Sequence, residues 1–130
     1  MQAKEYALMC LARSDCHSAV LAEKIRRKGF SGEIAGEIAR EFLEKGYLDD
    51  EAWLTRFIEK KKGQGYGPKM IFFELKKKGI EAELPFFDQK EAIAQFLERK
   101  FKGRLPEKQK LAALLLRRGF DYSEILSVLS

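Results

Sequence analysis

Arg27-Lys28-Gly29-Phe30 joins two basic residues, a glycine and an apolar residue, and the same order returns at Lys77-Lys78-Gly79-Ile80 and at Arg117-Arg118-Gly119-Phe120. Each stretch follows apolar residues at helical spacing. A glycine there can adopt the positive φ that ends a helix, and basic side chains are favoured at the carboxyl end of the helix dipole. The three stretches therefore predict three equivalent helix ends.

The distances along the chain indicate a tandem repeat. Ala52 and Gly79 are 27 residues apart, as are Ala92 and Gly119, and the corresponding distance in the first set is 22 residues. Each helix end is followed by another amphipathic stretch: GEIAGEIAREFL, EAELPFFDQ and YSEILSVLS. We predict an all-α fold of nine short helices, in three tandem three-helix repeats at residues 1–48, 49–89 and 90–130.

A three-helix unit of this size buries little apolar surface alone, so neighbouring units are expected to share their cores. We expect the helix-turn-helix-like units to form an elongated, curved array. The alternative is one compact bundle. No stretch alternates with period two, and no strand is predicted.

Helix starts are marked by residues whose side chains can cap free backbone amides. Ser14 and Ser31 are candidate N-caps, and Asp49 or Asp50 can start a helix. Two further starts are predicted, one at Gly67-Pro68 and one at Asp121, which with Glu124 has the spacing of a capping box.

The composition favours a mildly basic globular protein. Lys and Arg number 25 against 20 Asp and Glu, which gives a net charge of +5 in 130 residues. This charge is compatible with nucleic acid or another acidic partner, but solubility alone also explains it.

Metal, redox and membrane roles have little support. The chain has two cysteines, Cys10 and Cys16, and one histidine, His17, which we interpret as structural residues. No secretory signal or membrane-length apolar run is apparent. We expect a cytoplasmic monomer without a metal or a cofactor.

The centre of the chain carries a series of short motifs. It reads GYLDD at 46–50, a basic run at 60–62, GYGPK at 65–69, Glu74-Leu75, and Lys78-Gly79-Ile80. Their order and spacing resemble the RecX family, and the likeness extends from 21–30 to the final RRGF at 117–120. Trp53-Leu54 departs from the family pattern, which usually has an aromatic followed by a small residue.

The resemblance implies a fold and a function. RecX proteins consist of three tandem three-helix repeats. They bind in the groove of the RecA filament and modulate it, usually inhibiting ATP hydrolysis, strand exchange and coprotease activity. Some members also bind DNA directly, so the implied partners are the RecA filament and single- or double-stranded DNA. No enzymatic activity is implied.

The basic runs are the best candidates for contact with the filament or DNA. Most cations near helix ends simply favour the dipole and face solvent. Regular repeats would, however, place equivalent cations along one side of the array, where they suit a polyanion or an acidic groove. The candidate contact residues are Lys60, Lys61, Lys62, Tyr66, Lys69, Lys76, Lys77, Lys78, Arg117 and Arg118.

Other motif residues are interpreted as structural. Asp49 and Asp50 are expected to cap a helix. Gly65-Tyr66-Gly67-Pro68 lacks the strand and the Lys-Ser/Thr of a P-loop, so nucleotide binding is not predicted. The structural set comprises Gly46, Tyr47, Leu48, Asp49, Asp50, Gly67, Pro68, Gly79 and Gly119.

Two other functions compete with filament regulation. The first is sequence-nonspecific DNA binding that acts without RecA, marked by an affinity that falls steeply with salt. The second is catalysis, which the single histidine and the lack of nucleophile motifs disfavour.

Overall fold

The fold is entirely helical, as predicted. The computed structural model describes residues 1–130 and contains no strand. Its helices are α1 Ala3–Arg13, α2 Ser18–Lys28, α3 Gly32–Glu44, α4 Asp50–Gly63, α5 Pro68–Lys77, α6 Gln89–Phe101, α7 Lys108–Arg117 and α8 Tyr122–Leu129. None of these helices has the length and apolar character needed to cross a membrane.

The chain divides into two compact units. Unit 1 contains residues 1–57 and 78–80, and unit 2 contains residues 58–77 and 81–130. The repeat boundaries at 48/49 and 89/90 remain a prediction.

The core of unit 1 forms between α1, α2 and α3. Leu21 and Ile25 lie one turn apart on α2 and are fully buried with Ala7 of α1 and with Phe42 of α3. Because residues four apart share one face of a helix, this spacing turns one stripe of α2 toward both neighbours.

The core of unit 2 repeats this design in α6, α7 and α8. Leu111 and Leu115 on α7 are buried with Ile93 of α6, with Ile125 of α8 and with Phe120, which lies between α7 and α8. Helix α5 has a buried pair with the same spacing. In all three pairs, the second residue lies four positions before the glycine that ends the helix. The three pairs are Leu21 and Ile25, Ile71 and Leu75, and Leu111 and Leu115.

The predicted helix-ending glycines are confirmed. Gly29, Gly46, Gly79 and Gly119 all have positive φ. After α7, the amide of Phe120 donates to the carbonyl of Leu115 at 3.2 Å. This bond satisfies a carbonyl that the helix leaves free at its end.

The structure has eight helices, not nine, because the third helix predicted for residues 49–89 does not form. EAELPFFDQ has no helix before Gln89, where α6 begins. Pro85 lies in the middle of this stretch. Proline lacks an amide hydrogen and disfavours helical geometry in the preceding residue, so it opposes a helix here.

Some of the predicted helix starts are confirmed and others are wrong. Ser31 caps α3 through the amide of Ile34, and Pro68 opens α5. The prediction for Ser14 is wrong, because Ser14 follows α1 and His17 caps α2. The capping box at Asp121 is also wrong: Asp121 occupies the N-cap position of α8, but its side chain makes no cap bond.

The start of α2 is capped from two directions. The Nδ1 atom of His17 accepts from the amide of Ala19 at 3.0 Å. Asp50 of α4 accepts from the amide of Ser18 at 2.8 Å and from its hydroxyl at 2.5 Å. A backbone amide at a helix start has no partner within the helix, so these contacts fix α2 in unit 1.

The pKa of His17 is lowered, chiefly by burial and against the opposing effect of Asp50. Folding favours the neutral ring. The stability that His17 contributes is therefore complete above the pKa of 6.5 that it has in the unfolded chain, and it is lost as the pH falls through the lower pKa of the folded chain. Protonation of Nδ1 would also remove the acceptor for Ala19.

We therefore expect the free energy of unfolding to fall more between about pH 7.5 and about pH 5 in the unsubstituted chain than in His17→Asn, which keeps a capping acceptor. Urea unfolding at both pH values measures the difference. An equal fall in both proteins would contradict this role for His17.

Candidate functional site

The candidate cations fall into two classes according to their partners. Four belong to the first class, whose side chains are engaged within unit 2. Lys61 lies 3.5 Å from Glu74, Lys62 lies 3.7 Å from Glu59, and Lys69 and Arg118 make the contacts described below.

Arg118 holds the loop between α4 and α5. Its guanidinium donates to the carbonyl of Gln64 at 2.9 Å and lies 4.7 Å from the ring centroid of Tyr66 and 4.9 Å from that of Phe96. Lys61 lies 5.3 Å from the ring centroid of Tyr66. A cation near an aromatic ring stabilises both groups, so Tyr66, which is half-buried, has a structural role in this loop.

Two backbone hydrogen bonds join the same loop to the end of α7. The amide of Gly67 donates to the carbonyl of Arg118 at 2.7 Å, and the amide of Lys69 donates to the carbonyl of Gly119 at 3.0 Å. We call this contact the glycine joint. It brings together GYGPK and RRGF, which are far apart in the sequence.

Glycine is required on both sides of the joint. A Cβ atom at Gly67 would lie 2.6 Å from the carbonyl group of Gly119, and one at Gly119 would lie 2.4 Å from the amide nitrogen of Met70. These distances are far shorter than van der Waals contact, and the opposing atoms belong to backbone that cannot rotate away. The joint therefore excludes every side chain.

Lys69 is held beside the joint by an acidic partner. Its ammonium lies 3.2 Å from Asp121, whose other carboxylate oxygen accepts from Gln89 at 2.9 Å. The hydrogen bonds from Gln89 and Lys69 hold the pKa of Asp121 below its ordinary value. Asp121 thus explains why a cation is tolerated at the start of α5, where the helix dipole disfavours it.

The second class of candidate cations is exposed and makes no ion pair. It consists of Lys60, Lys76, Lys77, Lys78 and Arg117. An exposed cation without an ion pair keeps its full charge available to an anionic partner, so these residues are the stronger contact candidates.

Two exposed aromatic rings accompany the lysines of α5. Phe72 is 45% exposed and Phe73 is 56% exposed. The ammonium of Lys76 lies 5.5 Å from the ring centroid of Phe72, and that of Lys77 lies 5.5 Å from that of Phe73. We name Phe72, Phe73, Lys76 and Lys77 the α5 patch.

The sequence analysis missed this patch, since Tyr66 was the only aromatic residue among its candidate contacts. Ile71 and Leu75 define the buried face of α5. Phe72 and Phe73 lie one and two positions after Ile71, which turns them away from that face at 100° per residue. The spacing of Phe72 and Phe73 from Ile71 and Leu75 could therefore have predicted their exposure from the sequence.

The GYLDD residues have structural contacts. Gly46 has a φ of +78°, Leu48 is buried in unit 1, and the ring of Tyr47 lies edge-on to Phe42 at 5.3 Å. Asp49 accepts from the amide of Ala52 at 3.1 Å, which confirms it as a cap. Asp50 caps α2, not its own helix.

No cluster of three or more His, Cys, Asp or Glu side chains is placed to hold a metal ion. Cys16 is buried in the core of unit 1, Cys10 packs against that core, and both are free thiols.

Comparison with known proteins identifies the family. Residues 87–129, which include α6, α7 and α8, match the family model described as RecX, third three-helix domain. A protein named Regulatory protein RecX from Caldanaerobacter subterraneus subsp. tengcongensis is 33% identical, over 99% of this chain and 70% of its own length. The chain belongs to the RecX family.

Further RecX relatives cover a similar extent. Regulatory protein RecX of Legionella pneumophila strain Corby is 33% identical over 98% of this chain and 92% of its own length. Regulatory protein RecX of Pseudomonas putida strain GB-1 is 30% identical over 95% of this chain and 86% of its own length. The relatives bear the name of regulatory proteins, so RecX membership assigns this chain a regulatory role.

We expect Gly67→Ala to lower the free energy of unfolding by about 2 kcal/mol or more, because its methyl group would collide with the backbone of Gly119. Gly36→Ala is the matched control. Gly36 lies within α3 with no atom near its Cβ position, and this change should stabilise the chain by about 0.5–1 kcal/mol. Denaturant unfolding followed by circular dichroism measures both, and equal effects would contradict the joint.

Proposed function

We propose that this chain binds the RecA nucleoprotein filament and inhibits its ATPase, strand-exchange and coprotease activities. The observation that carries the proposal is the similarity, over nearly the whole chain, to proteins named Regulatory protein RecX. The resemblance to the RecX family implies that the partner is the RecA filament and that binding inhibits it.

The exposed cations support an acidic partner. Lys60, Lys76, Lys77, Lys78 and Arg117 are free of ion pairs, and a nucleoprotein filament carries phosphates that such residues can neutralise. Contacts of this kind position a protein without reading sequence, which suits a regulator that acts wherever a filament forms.

We propose that regulation works through binding alone. A ligand shifts a conformational equilibrium only by its difference in affinity for the two states. A chain that binds an inactive filament state more tightly than the active one therefore inhibits without a catalytic group or a cofactor. A monomer with one contact surface is sufficient for this.

The test is RecA ATP hydrolysis on single-stranded DNA with increasing amounts of the chain. We expect inhibition by the unsubstituted protein, and inhibition by Lys76→Gln/Lys77→Gln/Lys78→Gln that requires on the order of 10-fold more protein, because three unpaired cations are lost.

The control removes the same charge elsewhere. Lys90, Lys108 and Lys110 are exposed and lie outside the candidate set, so their triple Gln variant should inhibit like the unsubstituted chain. Absence of both inhibition and filament binding at saturating protein would refute the proposed function. Equal weakening by both triple variants would refute the role of the basic run.

The α5 patch favours a second candidate function, which is direct binding of single-stranded DNA. Bases stack on exposed aromatic rings while nearby lysines contact phosphates, and this combination tolerates any sequence. Phe72 and Phe73 with Lys76 and Lys77 supply both elements within two turns of one helix.

We expect Phe72→Ala/Phe73→Ala to weaken binding to naked single-stranded DNA by roughly 5- to 150-fold for each base that stacks on a ring, since stacking contributes about 1–3 kcal/mol per base. The lysine triple variant should instead reduce the slope of log affinity against log salt by about two. Fluorescence anisotropy with a labelled oligonucleotide measures both. Unchanged affinity of the phenylalanine variant would exclude stacking on this patch.

A further inference from the structure

A small pocket lies between α5 and the segment that follows it. Phe72 and Lys76 line it from α5, and Glu81, Ala82 and Glu83 line it from the segment. Its volume of about 360 Å³ is within the range of roughly 300–1,000 Å³ that is usual for sites of small ligands. All of these residues belong to unit 2. The α5 patch therefore has carboxylates as well as lysines beside its exposed rings.

The charged groups of the pocket have no ion-pair partner within the chain. Glu81, Glu83 and Lys76 are exposed, and none of them forms an ion pair. The ammonium of Lys76 lies 5.5 Å from the ring centroid of Phe72, which is itself partly exposed. The pocket thus offers a ligand three groups at once: an aromatic face, carboxylate acceptors and an ammonium.

The mixture of charges restricts the chemistry of the ligand. A simple cation would be repelled by Lys76 and Lys77, and a simple anion would be repelled by Glu81 and Glu83. A nucleobase meets neither difficulty, because it is neutral, stacks on an aromatic ring and donates N–H groups to carboxylates. The phosphates of the same strand suit the lysines of α5.

We propose that this pocket binds a guanine base of single-stranded DNA, stacked on Phe72 with its Watson–Crick edge toward Glu81 and Glu83. Guanine is the DNA base with two adjacent N–H donors on that edge, at N1 and at the N2 amino group, and a carboxylate has two oxygens to accept them. Paired hydrogen bonds to a charged group are stronger than a single neutral one. In duplex DNA cytosine occupies this edge, so the pocket selects single strands.

This inference rests on the second candidate function, direct binding of single-stranded DNA, and adds a base preference to it. Stacking alone tolerates any base, so the discrimination comes from the carboxylates. A contact made through two hydrogen bonds to one base favours that base by roughly 5- to 150-fold.

The first experiment changes the ligand and leaves the protein intact. Short labelled oligothymidylates carry guanine, hypoxanthine, 7-deazaguanine or thymine at one central position, and fluorescence anisotropy measures their affinities. The guanine strand is expected to bind roughly 5- to 150-fold more tightly than the thymine strand. Hypoxanthine lacks the N2 amino group and should lose most of this preference. The control is 7-deazaguanine, which keeps both donors and should retain it.

The second experiment changes the carboxylates. Glu81→Gln/Glu83→Gln removes two negative charges and should strengthen binding to every strand, so the informative quantity is the ratio of the guanine and thymine affinities. We expect this ratio to fall toward one. The matched control is Glu37→Gln/Glu44→Gln, which removes the same charge from exposed residues of α3 that form no ion pair and should preserve the ratio.

Equal affinities for the guanine and hypoxanthine strands would overturn the guanine site and leave DNA binding standing. A ratio unchanged in Glu81→Gln/Glu83→Gln would also overturn it, and a loss of RecA-filament binding by that variant would then assign the carboxylates to a protein contact. If dGMP competes as well as the guanine strand at equal base concentration, the ligand is a free nucleotide and the assignment to a strand is overturned. If the unsubstituted chain binds no oligonucleotide, the second candidate function fails and the guanine site fails with it.

Discussion

The pairing of Gly67 with the end of α7 constrains unit 2 through direct contact between two backbone segments. Two amides at the start of α5 donate to two carbonyls at the end of α7, and the backbones approach too closely for a Cβ atom on either glycine. Arg118 also donates to the carbonyl of Gln64 and lies 4.7 Å from the ring centroid of Tyr66. The two most recognisable motifs of the chain are thus opposite sides of one contact.

The start of α2 in unit 1 follows a related principle with different chemistry. There the donors are the amide and hydroxyl of Ser18, and the acceptor is the carboxylate of Asp50. In both places a helix start, which has free amides by its geometry, receives acceptors from a segment distant in sequence. Capping therefore also fixes tertiary structure, and it gives Asp50 and Gly119 structural roles within their short motifs.

Local periodicity and backbone geometry made most of the fold predictable. Leu21 and Ile25 mark a buried helix face by spacing alone, and Gly29 marks the end of that helix because few other residues adopt positive φ. The predictions failed where tertiary contacts decide. Ser14 and Asp121 have the right chemistry for capping, but Asp121 is occupied by Gln89 and Lys69.

The candidate site was only partly predictable for the same reason. The sequence makes both Lys69 and Lys77 candidate contacts, yet Asp121 pairs with Lys69 whereas Lys77 lies beside the ring of Phe73 and makes no ion pair. The partner of Lys69 lies about 50 positions away in the sequence, and no local pattern records that pairing. The helix predicted over EAELPFFDQ does not form, although Pro85 was visible in the sequence.

Trp53 gives the molecule a built-in optical probe. It is the only tryptophan, and it stacks on Phe57 at 5.0 Å and lies edge-on to His17 at 5.6 Å, all within unit 1. Its emission consequently reports on unit 1, whereas far-ultraviolet circular dichroism sums the helices of both units. Superimposable transitions from the two signals would mean that the whole chain melts cooperatively, and separated transitions would assign the first or second step to a particular half.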